Sequence, residues 1–335
     1  MVGYGAHGFD ADVLLHEIDQ LDKRQFIGCL YGSGFEAQPE LLQKIAEVIP
    51  LIGNHAQTVA AVKSVSQFFS ALRSLNINHP EVVDVLPECC ISNQADVFLK
   101  KLSGGCGGSH ISKVSSHDQA LLANEYYQRH IAGRSVSILF IADRSEIEVV
   151  GFNEQWVNPC DKSPFRYGGA ASHVELLPDV KNQLIDAAKK LTVMFGLLGL
   201  NSLDAIVQNT TVYVLEVNPR LSATVDLYDK AGEHLIDRHV KVCLTQCGLN
   251  QAVPMHQNDS ERSKAHAVAY APFDMKITAS SDWPDWAVDT PGHQDGIIKL
   301  VSGAPVCTVI AYADSAEEAR KLAQDRVEQV LNSVS

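Results

Sequence analysis

Three oxygen-bearing side chains, Asp204, Glu216 and Asn218, stand near the ends of two adjacent segments that read as strands. Residues 202–208 are apolar and β-branched enough to extend, and residues 211–217 more so. A three-residue loop over Asn209, Thr210 and Thr211 sets Asp204 directly opposite Glu216 in an antiparallel pair, with Cβ atoms roughly 5 Å apart. Asn218 lies two positions beyond Glu216 and shares its face. Two facing carboxylates repel unless a cation sits between them. A few hard oxygen ligands suit Mg²⁺ (or Mn²⁺) held partly through a substrate's phosphates. A two-residue loop turns Glu216 to the opposite face, so the metal reading hangs on register.

A second pattern surrounds Lys101. A strand ending there runs into Leu102-Ser103-Gly104-Gly105-Cys106-Gly107-Gly108-Ser109-His110, with four glycines in five positions. Glycines let successive backbone N–H groups face an anion and let phosphate oxygens come close. Lys101 shares a face with Leu99 and Val97 and reaches toward such phosphates. No Gly-Lys-Ser/Thr ending follows, so this is not a P-loop. His110 stands where a dinucleotide-binding Gly-x-Gly-x-x-Gly needs its last glycine. Taken alone, the loop reads equally as a phosphate cradle or a linker. Lys63 reads alone as a solvated helix lysine. Arg220 reads as a surface arginine or as a clamp on a transferred phosphoryl group.

Together these residues resemble the ATP-grasp superfamily, over most of the chain from about Phe26 onward. Glu216-Val217-Asn218-Pro219-Arg220 is similar to its Glu-x-Asn-Pro-Arg metal motif, with Asp204 in the place of the upstream acidic ligand. Lys101 and the glycines Gly105, Gly107 and Gly108 resemble its mobile phosphate-covering flap, and Lys63 falls where it has a first phosphate-binding lysine. Tyr126-Tyr127-Gln128-Arg129-His130-Ile131-Ala132-Gly133 falls at its adenine hinge. The chain departs from the family pattern at Leu102, where proline is common, and at His110, where glycine is. It departs again at Ser135, a place often acidic, and at Gln128, a place often glutamate.

The resemblance implies ATP bound by Lys63, Lys101, the loop glycines, Gln128, Arg129, His130 and Ile131, with metal on Asp204, Glu216 and Asn218. It implies a carboxylate–amine ligase working through an acyl phosphate, with Lys101 and Arg220 as catalytic groups. Arg166 and Arg220 are candidates for the carboxylate substrate. A narrower likeness over residues 286–309 is to enzymes related to tyramine–glutamate ligase, of methanofuran biosynthesis and one-carbon metabolism. That points to glutamate joined to an amine on a cofactor precursor. A non-catalytic nucleotide-binding regulator is the rival reading, and a bicarbonate-using carboxylase subunit ranks below both.

The elements that must position these groups give an α/β (α+β) chain: an abbreviated doubly wound N-terminal domain (1–55), a linking helix (56–80), a small flap domain (81–134) and a larger C-terminal α+β domain (135–335). Helices are expected at 12–21 and 38–48 around a strand at 25–31. Residues 58–75 read as one long helix, apolar at Val59, Val62, Val65, Phe68, Phe69 and Leu72. Strands are expected at 96–101 and 125–130 with a short helix at 118–124 between them, then a hairpin at 136–142 and 146–153. Residues 161–172 and 249–263 read as loops, and 178–198 and 226–244 as helices. Strands at 265–270 and 306–312 precede a closing helix, 315–331, capped by Ser315.

A net charge of -13 over 335 residues argues against nucleic acid or an anionic membrane as partner. No apolar run approaches the roughly 20 residues of a membrane span, and Met1 to Asp12 lacks signal-peptide character. The eight cysteines are therefore expected as free thiols in the cytoplasm. The expected partners are small carboxylates and amines, and a homo-oligomer stays open.

Overall fold

The computed structural model describes residues 4–5, 8–86, 97–114, 121–228, 234–245, 249, 262–278, 283–291 and 297–334. The N-terminal part holds a minimal hairpin, β1 (Tyr4–Gly5) and β2 (Gly8–Phe9), then α1 (Ala11–Asp19) and α2 (Pro39–Val48). Asp10 caps α1, its side chain accepting from the Val13 backbone N–H. The expected strand at 25–31 is corrected. Lys23–Gln25 is a 3₁₀ turn, and only Cys29 pairs, in a parallel bridge to Leu51. The Cys29 N–H donates to Pro50 O at 2.7 Å, and the Ile52 N–H donates back to Cys29 O at 2.9 Å. Gly28 interrupts this segment and Gly32 and Gly34 follow it, and among the described residues no further strand pairs with it.

The single helix expected over 58–75 is two: α3 (Ala56–Lys63) and α4 (Val65–Ser74). Ser64 between them is extended, and its hydroxyl accepts from the Gln67 N–H at 3.5 Å, a serine serving as N-cap. Apolar periodicity runs through such a break because both helices bury the same side. Lys63 thereby becomes the last residue of a helix.

A four-stranded antiparallel sheet follows, in the order β3 (Val82–Val83), β6 (Glu125–Arg129), β4 (Phe98–Leu102), β5 (Ile111–Lys113). Of the short helix expected at 118–124, residues 118–120 lie outside the described residues. The rest is not helical, and it ends on Asn124 with a positive φ of 67°.

The remaining strands are β7 (Arg134–Asp143), β8 (Ile147–Val157), β9 (Tyr167–Ala171), β10 (Leu198–Gln208), β11 (Thr211–Asn218), β12 (Ser263–Tyr270), β13 (Met275–Thr278), β14 (Ala287–Val288), β15 (Ile297–Leu300) and β16 (Pro305–Ala313). The helices are α5 (Pro178–Phe195), α6 (Leu235–Thr245) and α7 (Ala316–Val334). Eight strands form one antiparallel sheet, β11-β10-β7-β8-β9-β12-β16-β14, and β13 pairs β15 apart from it. β9 arises inside the expected loop 161–172. The Trp156 indole lies so close over Gly168 and Gly169 that a Cβ on either would collide with it, so packing rather than strand propensity makes this strand. The helix expected at 226–244 starts only at Leu235, after a 3₁₀ turn at Ala223–Leu227. Residues 229–233, most of the expected loop 249–263, and Cys89, Cys90 and Cys247 lie outside the described residues.

The large sheet is covered on both faces. Val136, Ile138, Phe140 and Ala142 of β7 pack with Leu184, Ala188 and Leu191 of α5. Leu139 and Ile141 turn the other way, to Leu235 and Val242 of α6. A strand buried on both sides reads as a continuous apolar run, as β7 does. Further along, α7 settles on β12 and β16 through Ala265, Ala267, Ala269, Ala311, Ala319 and Ala323, small residues that let helix and sheet approach closely.

Candidate functional site

The turn between β10 and β11 has two residues, Asn209 and Thr210, closed by the pair Gln208–Thr211, with Asn209 at a positive φ of 56°. The expected three-residue loop is therefore corrected. Yet Asp204 does stand opposite Glu216, because the register shifts once between Ala205–Val214 and Asp204–Glu216 and leaves Leu215 unmatched. A two-residue turn alone would have turned Glu216 away, and this bulge turns it back. Beyond it Ser202 pairs with Asn218.

The side chains converge as their types require. The Asn218 amide donates to Asp204 Oδ2 at 2.8 Å, and the Gln155 amide donates to Asp204 Oδ1 at 3.1 Å. Lys63 Nζ donates to Glu216 Oε2 at 2.8 Å and to Asn218 Oδ1 at 3.2 Å. It arrives there because Ser64 ends α3 one residue later. Lys101, 6 % exposed, donates to Gln128 Oε1 at 3.2 Å. Burial, reinforced by the charge of Glu216, pushes the Asp204 carboxyl well above its ordinary range. Burial works upward on Glu216 too, but Lys63 and Lys101 outweigh it and hold that carboxyl low. Glu216 keeps 37 % of its side chain open, so solvent softens that pull. Lys101 is pushed down by burial, against the attraction of Glu216 and Asp204.

The glycine loop lies down over these groups. Gly104, Gly107 and Gly108 all have positive φ, at 74°, 65° and 72°. A Cβ on Gly104 would meet Glu36 O at 2.7 Å, and one on Gly108 would meet Phe165 O at 1.9 Å. The Tyr167 N–H donates to Gly107 O at 2.9 Å, and the Ser103 hydroxyl donates to Lys63 O. Under the loop a cavity of about 30 Å³ remains, lined among others by Lys63, Lys101, Gly105, His110 and Glu216. Ligand pockets run to roughly 300–1,000 Å³. A larger cavity of about 680 Å³ adjoins it, also lined by Lys63, Ser103 and Tyr126.

The other expected site residues are placed unevenly. Gln128 points inward, 2 % exposed, whereas Arg129 on the alternate face pairs with Glu81 at 2.7 Å, on the side away from the lysines. The His130 ring approaches Phe165, with centroids 6.0 Å apart, and Ile131 is half-buried. Arg220 is buried and donates from Nε to Glu36 Oε1 at 2.6 Å, with a second contact to Asn218 Oδ1 at 3.4 Å. Arg166 is engaged away from the carboxylates. Its guanidinium stacks 3.7 Å over the Tyr270 ring and donates to Asn158 O and Oδ1, both at 3.0 Å. Gln155, Glu36 and Ser103 join the site without having been singled out in the sequence. Gln155 and Glu36 come from elements distant in the chain and carry no local pattern, whereas Ser103 lies in the glycine-loop stretch beside Lys101.

Among the described residues no three His, Cys, Asp or Glu side chains converge as a metal site. Two carboxylates and an amide form a thinner set, which fits a hard cation that takes its other oxygens from phosphate and water. The ammonium of Lys63, lodged between Glu216 and Asn218, shows that this place already accepts positive charge. No described helix is long and apolar enough to cross a membrane.

Residues 64–224 match the ATP-grasp domain family. The carbamoyl phosphate synthase large chain of Caldanaerobacter subterraneus is 23 % identical over 262 residues, 70 % of this chain but 24 % of that one. The tyramine–L-glutamate ligase of Methanocaldococcus jannaschii is 29 % identical over 128 residues, 38 % of this chain and 37 % of that one. The chain thus spans about a quarter of the length of the synthase. In fold it is similar to the L-amino acid ligase from Bacillus licheniformis, with a TM-score of 0.65 at 14 % identity over 95 % of this chain and 82 % of that one. The biotin carboxylase domain of Hydrogenobacter thermophilus 2-oxoglutarate carboxylase gives a TM-score of 0.69 at 10 % identity over 97 % and 77 %.

Proposed function

We propose that this chain, which has the ATP-grasp fold and carries an ATP-grasp domain over residues 64–224, is an ATP-dependent carboxylate–amine ligase. The observation that carries the reading is the meeting of Asp204, Glu216 and Asn218 with Lys63 and Lys101 beneath a glycine loop. A carboxylate and a triphosphate repel, so an enzyme that joins them must first cancel charge. Lys63 and Lys101 do that for the phosphates, and Gln128 holds Lys101 from the hinge strand. A magnesium ion on Asp204, Glu216 and Asn218 would supply charge neutralisation at the phosphates. The substrate carboxylate oxygen attacks the terminal phosphorus and ADP leaves with the bridging oxygen. The amine then attacks the acyl carbon, inorganic phosphate leaves, and the amine's proton passes to solvent. Such an acyl phosphate is readily hydrolysed, and the lowered loop excludes water from it. Arg220 is buried, paired with Glu36 and beside Asn218, which supports it as the group nearest the metal ligands for the acid to meet. Arg166 is left the role of bracing the segment under the loop tip.

The match to tyramine–L-glutamate ligase supports glutamate as the acid and a primary amine such as tyramine as its partner. A second reading takes bicarbonate as the acid. It is supported by the carbamoyl phosphate synthase matches over 70 % of the chain and by the small cavity under the loop. One panel separates them: ADP release from MgATP with glutamate or bicarbonate, each with and without tyramine, other amines or ammonia. The ligase reading expects ADP only when both an acid and an amine are present. Nucleotide binding with no turnover across the panel points to a regulatory protein instead. Lys101→Ala is expected to raise the KM for ATP and to lower kcat by about 10²-fold. Unchanged constants would reduce the glycine loop to a linker.

A further inference from the structure

The ligase reading leaves one side chain of the glycine loop unexplained. His110 closes the loop just before β5, and its ring lines the cavity of about 30 Å³ together with Lys63, Lys101 and Glu216. The imidazole occupies the space a side chain at 105 would need. A Cβ on Gly105 would lie 2.3 Å from the ring, so the glycine is what allows the ring to fold inward. The Cys106 backbone acts on the ring as a hydrogen-bond partner, though not in good geometry at Nδ1. Even so, Nδ1 is buried with no partner in hydrogen-bonding geometry among the described residues. Buried polar atoms without partners are rare and costly, and each calls for a reason. Around it stand the ammonium groups of Lys63 and Lys101 and the carboxylate of Glu216, which already pairs with Lys63. Once a cation and a phosphate share the site with that carboxylate, an imidazole with its proton on Nδ1 has a phosphate oxygen as its natural acceptor.

We propose that His110 is a further catalytic residue, whose Nδ1–H donates a hydrogen bond to an oxygen of ATP's terminal phosphoryl group. The loop rises to admit the nucleotide, and the imidazole rides on it, meeting the last phosphate from above while Lys63 and Lys101 approach from the side and below. The donor serves the oxygens that carry charge during transfer, so it acts on the terminal phosphate and not on the rest of the nucleotide. This inference rests on the ligase reading and names one more residue of the same site.

Two variants and two nucleotides test it. His110→Ala removes the donor, and His110→Asn keeps an N–H close to the position of Nδ1. Binding of the β,γ-imido analogue of ATP and of ADP, each with magnesium, is measured by calorimetry for the full chain. The expected result is that His110→Ala weakens the ATP analogue by roughly tenfold or more and leaves ADP unchanged. His110→Asn should retain most of the affinity, and kcat in the ligase assay should follow the same order. Equal weakening of both nucleotides, or an Asn variant as weak as Ala, would show a packing role and overturn the proposal. A gain in affinity for the analogue on truncation would overturn it too, showing that the ring merely plugs the site. If the wild-type chain binds neither nucleotide, the ligase reading falls and this inference with it. If it binds both and the variants match it, this inference alone falls.

Discussion

Glu216 is the residue on which the proposed chemistry turns. Its carboxylate answers to two lysines, one touching it at 2.8 Å, while its partner Asp204 lies amid amides. Replacement by glutamine keeps the size and one oxygen but removes the charge that a divalent cation needs. Glu216→Gln is therefore expected to lower ADP production by at least about 10²-fold at saturating ATP and magnesium, with the melting temperature nearly unchanged. Turnover close to wild type would take Glu216 out of the metal site. The residue types of this cluster were legible, since paired carboxylates beside an Asn-Pro-Arg run have few structural uses. Lys63 was not legible by itself. An isolated lysine near a helix end carries no signal until the fold brings a carboxylate to it.

Among the elements, those with strong periodicity were readable: α2, α5 and α7, and the strands β7, β8, β12 and β16. The misreadings are decided by single residues: Ser64 caps the helix that follows it, Leu215 goes unmatched in the β10–β11 ladder, and Trp156 lies over two glycines of β9. Strand β12 carries a testable consequence of burial. His266, 5 % exposed, shares a hydrogen bond between its Nε2 and the Tyr167 hydroxyl at 2.7 Å. Burial first, and Lys264 next, push its pKa down to about 4, against the pull of Asp289. An unfolded histidine titrates near 6.5, so the unfolded chain takes up a proton first. Stability from this group is thus complete above about 6.5 and is lost as pH falls toward 4, by about 3 kcal/mol. Urea unfolding across that range is expected to show the loss in the wild type and a flatter profile in His266→Gln. Parallel profiles would mean that His266 charges freely in the folded chain.

For the molecule as a whole, the N-terminal part reaches β10 and the Pro219–Arg220 segment after β11 through a few buried polar contacts. Glu36, its side chain fully buried, receives Arg220 at 2.6 Å. Asn54 donates to Asn201 Oδ1 at 2.9 Å and to Pro219 O at 3.0 Å, and accepts from the Leu198 N–H at 2.8 Å. The Tyr31 hydroxyl and the His239 ring add contacts to Asn54 O and Ile52 O. The segment Pro219–Arg220 is thereby held from outside its own sheet. Glu36→Ala leaves the Arg220 guanidinium buried and unpaired, at an expected cost of about 3–5 kcal/mol by chemical denaturation, together with loss of ligase activity. Pairing Glu36→Leu with Arg220→Met should recover most of the stability and none of the activity. A double variant as unstable as the single one would mean that the neighbours, and not the ion pair, hold this junction.

The sequence by itself determined what the site is made of: two carboxylates and an amide on neighbouring strands, a lysine leading into a glycine loop, and a chain with enough alternation and periodicity for a mixed α/β body. These are local properties, set by side-chain chemistry and by periods of 2 and 3.6 residues. Only the tertiary structure decided that a bulge at Leu215 keeps the carboxylates facing, that Lys63 ends a helix at Glu216, and that His110 folds inward under the loop. The meeting of Lys63 with Glu216 joins residues far apart in the chain and leaves no spacing to read, while the bulge and the inward turn of His110 are backbone choices that residue types alone do not fix.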